Sequence, residues 1–295
     1  MISGSNSFKS YVPYTGLASF KVVAVNPSNE EYLKITGKEL PYELTYDTRD
    51  NYYLDTQKPA RPVNFLLHNE ELNIYEFARF NIFKEKDVTS KGSLRVMNQQ
   101  GIPTFTSSIE ALKTNDAMKW YSTDKVVVLE KGLFELYSFI QKWVKFDNRA
   151  KDVDFLSDME SNGITAEKLF KGDFSGLKSV IKWANDNKFT IALPLVVRKR
   201  EKDDKVMFIQ EIFSANPEVY FMTDKNGNVT TKSVEKFQEI HEKKVSQGFK
   251  ITSRLFTFGL QPFVESECIN YEPEQTGSNW ADVGVEQENN DDLPF

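Results

Sequence analysis

Short apolar runs, each of strand length and each ended by Gly, Pro, Asn or charged residues, constrain the fold of this 295-residue chain most strongly. They form two groups, separated by a stretch with helical periodicity. The runs are residues 20–25, 63–67, 73–84, 94–97, 102–107, 125–130, 190–198, 206–213, 219–222 and 254–258. This order predicts a β-rich α+β protein, a β-barrel elaborated with inserted helices, rather than an alternating βαβ array.

Five helices are predicted between and after these runs. A Ser28-x-x-Glu31 capping box starts a short helix that ends at Gly37. Polar helical patterns predict one short helix within residues 147–174 and a Lys/Glu-rich helix over 234–245. A further helix starts at Ser175 and carries Leu177 and Ala184 on its apolar side. The most regular pattern covers residues 132–145, where apolar side chains recur at helical spacing: Leu133, Leu136, Tyr137, Ile140 and Val144.

Charge is distributed unevenly along the chain. The last 25 residues hold seven of the 43 acidic residues and no Lys or Arg, which leaves 36 acidic against 37 basic residues elsewhere. An acidic segment with few apolar residues cannot offset its ordering entropy by burial, so residues 271–295 are predicted to be a disordered, flexible acidic tail. Residues 1–270 are then the folded domain, with an N-terminal arm over residues 1–16.

The tail ends on a tip that a purely solubilising segment does not need. The acids would bind a basic groove on a partner, and the final aromatic would fill a pocket. The predicted partner-binding residues are Asp291, Asp292, Leu293, Pro294 and Phe295. The alternative is a generic acidic tail that ends in Phe by chance.

The single cysteine, Cys268, excludes an intramolecular disulfide and fits a reducing cytosol. No apolar run approaches membrane-spanning length, and no secretory leader opens the chain. We therefore expect a cytoplasmic protein without a membrane partner.

Residues 73–84 are the best candidate for contact with nucleic acid. On a period of two, one face carries aromatic side chains with a guanidinium and ends near Lys84 and Lys86. Bases stack on aromatic faces whatever their sequence, and cations neutralise phosphates. The alternative is that these aromatics belong to the core, with Arg79 at its rim. The DNA-facing side chains of this face are Tyr75, Phe77, Arg79 and Phe83.

Basic and aromatic residues elsewhere extend this candidate site. Lys119, Trp120 and Tyr121 join a cation to two aromatics in a polar context, although a tryptophan is more often buried. Residues 198–205 form a charged hairpin tip that is either simply solvated or clamps the DNA backbone. The remaining candidates are Lys91, Arg95, Arg198, Lys199 and Arg200, with Lys250 and Arg254 as lesser ones.

Enzymatic chemistry finds no support in the sequence. Two histidines, His68 and His241, and one cysteine cannot supply zinc or Cys-His protease sites. No phosphate-binding glycine loop or nucleophile elbow is present. We predict no catalytic residues, no metal and no cofactor.

One segment has the spacing of a calcium loop without its required turn. Its oxygen-bearing side chains are Asp224, Asn226, Asn228 and Glu235, but Val229 stands where that loop needs glycine. Asn226-Gly227 lies between an apolar run and a Thr-rich one and is better explained as a tight turn.

Two terminal motifs resemble known families. The ending Asn290-Asp-Asp-Leu-Pro-Phe295 resembles the Asp-Asp-Asp-Ile-Pro-Phe tip of bacterial single-stranded DNA-binding proteins, with one acid missing and Leu293 in place of Ile. Residues 16–27, a strand followed by Asn26-Pro27, resemble the opening of single-stranded DNA-binding proteins of tailed phages, and a weaker similarity of pattern continues to about residue 223.

These resemblances imply an OB-fold-like core that coats single-stranded DNA without sequence preference. They also imply roles in phage DNA replication, recombination and repair in the host cytoplasm, with replication or recombination proteins recruited through the tip. A nearly neutral body is less basic than many DNA binders, so its cations would have to be concentrated in one groove. The alternatives are a structural or adaptor protein whose tail binds a partner, and a nuclease with an unrecognised metal site.

Overall fold

The computed structural model describes residues 13–41, 60–83, 94–114, 126–144, 154–202, 205–212, 217–246 and 260–263, and for 198–202, 205–208, 211, 241 and 243–246 it describes the backbone alone. The strands within these ranges are β1 Tyr14–Val25, β2 Ala60–Asn69, β3 Ile74–Phe83, β4 Leu94–Asn98, β5 Pro103–Thr106, β6 Val126–Val128, β7 Ile191–Lys202, β8 Lys205–Ile212, β9 Phe221–Met222 and β10 Gln261–Pro262. The helices are α1 Asn29–Thr36, α2 Ile109–Thr114, α3 Lys131–Val144, α4 Phe155–Ser161, α5 Ala166–Phe170, α6 Ser175–Asp186 and α7 Thr231–Ser246. The chain is thus a mixed α+β protein.

The main sheet is antiparallel and curls strongly into half a barrel. Its strands follow the order β3-β2-β1-β7-β8, with β9 beside β7 and β10 beside β1. The long strand β1 joins the two halves of this sheet, β3-β2 on one side and β7-β8 on the other. Its first part pairs with β7 from Gly16 to Phe20, and its second part pairs with β2 from Lys21 onward. A register shift between Val22 and Ala24 marks a bulge, which bends the strand and helps the sheet curl.

The two outermost strands of this path, β3 and β8, approach each other. The Gln210 Nε2 amide of β8 donates to the Glu76 Oε1 carboxylate of β3 at 2.6 Å, and the Tyr14 backbone N–H donates to Gln210 Oε1 at 2.6 Å. Because each neighbouring pair along the path is antiparallel, β3 and β8 run parallel to each other. The side-chain contact therefore joins the open edges of the half-barrel.

The core lies between the concave face of the sheet and α3. The predicted apolar stripe of this helix is confirmed, since Leu133, Leu136, Tyr137 and Ile140 are buried. Trp143 at its end is 1% exposed and donates its Nε1–H to the Phe189 carbonyl at 3.2 Å. Burying each large apolar side chain contributes roughly 1.5–3 kcal/mol, so this interface is a main source of stability.

The start of α3 is fixed to the end of β3 by a buried carboxyl group. Glu130 accepts the backbone N–H of Phe83 at 3.3 Å and that of Gly132 at 3.0 Å, and also that of Leu133. Burial raises the pKa of Glu130 to about 8, although these three N–H groups lower it. Gly132 packs so closely that a Cβ atom there would lie 1.7 Å from the Asn81 carbonyl oxygen. Residues 130–132 therefore act as a rigid joint between strand and helix.

The Ser28 cap of the predicted capping box and most of the predicted strands are confirmed, whereas no bond from the Glu31 side chain back to Ser28 is seen within this described segment. The Glu31 backbone N–H donates to Ser28 Oγ at 3.2 Å, and Gly37 ends α1 at φ 71°. Among the strands, residues 63–67, 73–84, 94–97, 102–107, 125–130, 190–198 and 206–213 correspond to β2 to β8 in order. The region of each was predicted correctly, with ends that shift by a few residues.

Other predictions need correction. β1 begins at Tyr14 rather than at residue 20, so the predicted arm over residues 1–16 overlaps a strand. Two helices, α4 and α5, replace the single helix predicted within residues 147–174, and a 3-10 turn at Pro217–Val219 precedes the short β9. Both α2 and β10 went unpredicted, and residues 254–258 lie outside the described residues. In the described ranges, no helix has both the length and the apolar character to cross a membrane.

Candidate nucleic-acid interface

The outer face of β1, β2 and β3, opposite the barrel core, carries a row of three side chains on adjacent strands. Lys21 pairs with His68, and His68 pairs with Tyr75. The imidazole and phenol rings stack, with centroids 4.3 Å apart and planes 12° from parallel. Lys21 lies on the side of His68 away from Tyr75, since β2 is the middle strand. We call these three residues the Lys21 row.

Polar contacts hold each ring of the stacked His68–Tyr75 pair in place. The Tyr75 hydroxyl donates to the Ile35 carbonyl of α1 at 3.2 Å, and His68 Nε2 lies 3.3 Å from Asn73 Oδ1 in the β2–β3 turn. All three side chains of the row are half-buried. The geometry therefore offers a preorganised aromatic pair flanked by a cation, and part of each side chain reaches solvent.

Next to this row, α1 covers part of the outer face. Phe77 stacks on Tyr32 of the helix, with centroids 5.8 Å apart and planes 18° from parallel. Leu66, which pairs with Phe77, and Ala24 are buried with Tyr32 in a small second core. The face of 73–84 proposed for DNA is thus neither fully exposed nor part of the main core, which takes Ala78, Phe80 and Ile82 from the opposite face and leaves the outer face half-buried.

Further along the face, polar side chains replace the apolar ones. Arg79 pairs with Asn64 and is half-buried. Asn26, at φ 40°, accepts the Asn64 backbone N–H at 2.8 Å and donates its side-chain amide to the Pro62 carbonyl at 3.0 Å. Phe83, also half-buried, ends the strand at the Glu130 joint. The aromatic, apolar and polar positions therefore succeed one another along one surface.

Arg95 was predicted to contact DNA, but the structure buries it to 6% exposure on β4 of the second sheet, β5-β4-β6. Its charge acts on Glu135 of α3. Burial raises the pKa of Glu135 to about 7, while the cations of Lys131 and Arg95 pull it down. A buried guanidinium of this kind is stabilised by its carboxyl neighbour. The position of Arg95 therefore does not support a DNA contact.

The charged hairpin predicted over residues 198–205 is confirmed as a hairpin. β7 and β8 pair continuously from Leu195↔Ile212 to Lys202↔Lys205, with Arg198, Lys199 and Arg200 in the paired part of β7. Three consecutive basic residues therefore follow the last buried residues of β7. They lie in the part of the β7–β8 hairpin that extends beyond the pairing with β1.

Several predicted residues lie outside the described residues. These are the DNA-contact candidates Lys84, Lys86, Lys91, Lys119, Trp120 and Tyr121, the lesser ones Lys250 and Arg254, and the partner-binding tip Asp291, Asp292, Leu293, Pro294 and Phe295. Their roles stay predictions.

Lys21 and His68 belong to the row but were not predicted as site residues. The register of β1 against β2 places Lys21 beside His68, and the register of the β2–β3 hairpin places His68 beside Tyr75. A signal was nevertheless present. Lys21 is the one charged residue in the apolar run 20–25, which is an uncommon position in a half-buried strand.

The outer face is not strongly basic. Glu70 and Glu71 are exposed in the β2–β3 turn next to the Lys21 row, and Glu30 and Glu31 are exposed at the start of α1. These carboxylates repel phosphates at the margins of the face. Any binding here must rely on stacking and on few cations rather than on a broad positive field.

The segment with calcium-loop spacing is a turn, as predicted. Asp224 Oδ1 accepts the backbone N–H groups of Asn226 and Asn228, each at 2.8 Å, and Gly227 adopts φ 84°. The Asp224 oxygens are thus engaged within the turn. Throughout the described ranges, no group of three His, Cys, Asp or Glu side chains is placed to hold a metal ion.

No protein-family model, curated protein or solved structure matches the chain significantly.

Proposed function

We propose that the chain is a sequence-non-specific single-stranded DNA-binding protein built on an OB-type barrel. It would coat single strands during phage replication and recombination and recruit replication proteins through its C-terminal tip. The observation that carries this proposal is the Lys21 row, a stacked His68–Tyr75 pair beside a cation, on the outer face of a curled antiparallel sheet.

The strand path supports an OB-type barrel. An OB fold is a five-stranded, partly open Greek-key barrel that binds oligonucleotides through the face of its strands 2 and 3 and through its 1–2 and 4–5 loops. Here β1 is shared by a β1-β2-β3 meander and a β7-β8 hairpin, helices are inserted between β3 and β7, and the edges β3 and β8 meet in parallel. On this correspondence β7 and β8 take the places of strands 4 and 5.

The same correspondence gives both clusters of candidate residues a role. The Lys21 row and Arg79 lie on the face of strands 2 and 3, and the basic residues 198–200 approach the 4–5 loop. A base would extend the existing ring stack at Tyr75 or lie against His68 beside Lys21. Base stacking on aromatic side chains contributes about 1–3 kcal/mol per base and does not depend on sequence.

The test is a fluorescence-anisotropy titration of the full chain with a labelled oligo-dT of about 20 nucleotides, longer than the roughly 4–16 nucleotides that one OB fold covers. We expect binding to single strands of any sequence and much weaker binding to duplex DNA. We also expect a shallow salt dependence, because few cations flank the stacking face and each phosphate contact contributes only about 0.7 to the logarithmic slope. Absence of binding at low salt would refute the proposal and favour the adaptor alternative. Magnesium-dependent loss of the oligonucleotide would favour a nuclease.

The tip is tested separately by deleting residues 289–295. We expect the affinity for oligo-dT to stay unchanged or to rise, because removing carboxylates removes competition for cations. Capture of replication proteins should be lost in a pull-down from phage-infected cells. A fall in DNA affinity would show that the tail has a different role.

A further inference from the structure

The exposed side of α6 carries a tryptophan that the core does not use. Trp183 is 50% exposed, while Leu177, Val180 and Ile181 on the opposite side of the helix pack into the main core. The other tryptophan within the described ranges, Trp143, is 1% exposed. A half-exposed indole is a large apolar surface to leave in water.

The indole is fixed rather than loosely attached. Its ring meets Phe189 in an edge contact, with centroids 5.1 Å apart and planes 73° from parallel. Phe189 is in turn held by its backbone N–H, which donates to the Ala184 carbonyl at 2.8 Å. The Asn187 side-chain amide donates to the Trp183 carbonyl at 2.8 Å. A rigid aromatic surface loses little entropy when a flat ligand stacks on it.

Three exposed lysines lie on or directly after the same helix. Lys178 and Lys182 lie one helical turn apart on the exposed side of α6, an arrangement of like charges that weakens a helix slightly. Lys188 follows the helix at φ 58°, a left-handed conformation that glycine or asparagine adopts at lower cost. In the part of the chain described, these lysines form no ion pair; the acid nearest in sequence is Asp173 for Lys178 and Asp186 for the other two.

We propose that Trp183 with Lys178, Lys182 and Lys188, the α6 patch, is a second contact for single-stranded DNA. A base stacks on the indole while the lysines neutralise the adjacent phosphates, which is the combination that sequence-tolerant strand binding requires. This inference rests on the proposed function and adds a second, separate subsite to it.

Chain connectivity and sheet register relate the two subsites. Ile191 at the start of β7 pairs with Phe20, and Lys21 is the next residue along β1. The α6 patch and Phe189 directly precede β7 in the chain. The end of α6 therefore leads directly into the strand that pairs with β1 next to Lys21.

The experiment compares two oligonucleotide lengths on the full chain. Trp183→Ala should weaken binding of an oligo-dT of about 30 nucleotides roughly fivefold to a hundredfold, the range expected for loss of one stacked base. Binding of a fluorescently labelled oligo-dT of about six nucleotides at the Lys21 row should stay within twofold. Val127→Ala, which removes an exposed apolar side chain from the small sheet, is the matched control and should change neither affinity.

Tryptophan fluorescence gives an independent measurement. Oligo-dT of about 30 nucleotides should quench Trp emission less in Trp183→Phe than in the unchanged chain, and Lys182→Gln should bind more weakly than the control Lys113→Gln. Equal quenching and equal long-oligonucleotide affinity in the Trp183 variants would overturn the α6 patch while leaving the proposed function intact. Absence of oligo-dT binding by the unchanged chain would overturn both. Trp183-dependent binding of a synthetic peptide of residues 286–295, without any effect on DNA, would assign the patch to an acidic peptide instead.

Discussion

The two faces of β3 carry similar apolar and aromatic residues but meet different surroundings. On the inner face, Phe80 and Ile82 are completely buried against the core and α3. On the outer face, Tyr75 and Phe77 are half-buried, because the short helix α1 covers that face only in part. The comparison teaches that strand periodicity separates two faces, whereas the helix packed on each face decides whether its aromatics serve stability or remain available for a ligand.

The inner face should respond most strongly to substitution. Phe80 packs against Phe65 and Phe139 at ring-centroid distances of 5.9 and 5.3 Å, so Phe80→Ala leaves a cavity in the main core. We expect a loss of about 3–5 kcal/mol in the free energy of unfolding, measured by urea denaturation. Phe77→Ala on the outer face is the matched variant and should lose about 1–2 kcal/mol. Equal losses would mean that the two faces do not differ in the way described.

Two buried carboxyl groups near the start of α3, those of Glu130 and Glu135, should make the stability of the protein depend on pH. Because burial raises the folded-state pKa of Glu130 to about 8 and that of Glu135 to about 7, the folded chain binds more protons than the unfolded chain above the ordinary carboxyl value of 4.5. Stability is therefore greatest near pH 5 and falls as the pH rises through 7 and 8. At about 1.4 kcal/mol for each pH unit over which one group differs in protonation, the two groups together predict a loss of several kcal/mol across this range.

Glu135→Gln separates this effect from general charge repulsion. In this variant the free energy of unfolding should fall less steeply between about pH 5 and pH 8, because residue 135 no longer binds a proton in the folded chain. Urea denaturation at each pH measures the effect. Glu242→Gln, on the exposed side of α7, is the control and should leave the slope unchanged. A slope that is identical in both variants would contradict burial as the cause.

The smallest expected effect concerns the outer face alone. Lys21→Gln should lower the logarithmic salt slope of oligo-dT binding by about 0.7, the value for one phosphate contact on a single strand. Lys113→Gln, which breaks an exposed ion pair with Glu110 on α2, should leave the slope unchanged. If Lys21→Gln weakened binding equally at all salt concentrations, Lys21 would act by packing rather than by charge.

The local elements were predictable from the sequence because their signals are local. The apolar spacing of α3, the Ser28 cap and Gly37, and the Asn226-Gly227 turn each depend on residues a few positions apart, and all are confirmed. Alternation over 73–84 also separated the two faces correctly. It could not tell which face is inner, because both carry aromatic residues.

The site depended on contacts that are distant in sequence, which is why it was only partly predicted. Lys21 joins the His68–Tyr75 pair only through the register of β1 against β2, and the bulge after Val22 is not visible in the pattern. Arg95 was expected at the surface, because a five-residue strand contains no sign that Glu135 of α3 will lie beside it. The strand path of the half-barrel likewise follows from how β1 is shared between β2 and β7, which single-sequence patterns do not encode.

The most direct test of the outer face as the DNA-binding surface is Tyr75→Leu, which removes the stacking ring but keeps an apolar side chain next to α1. Oligo-dT affinity and the free energy of unfolding should be measured on the same preparation, with Tyr75→Phe as the control that retains the ring. We predict roughly fivefold to a hundredfold weaker binding for Tyr75→Leu with a stability loss below about 1 kcal/mol, and near-unchanged binding for Tyr75→Phe. Unchanged oligo-dT affinity in Tyr75→Leu would contradict the assignment of this face to DNA.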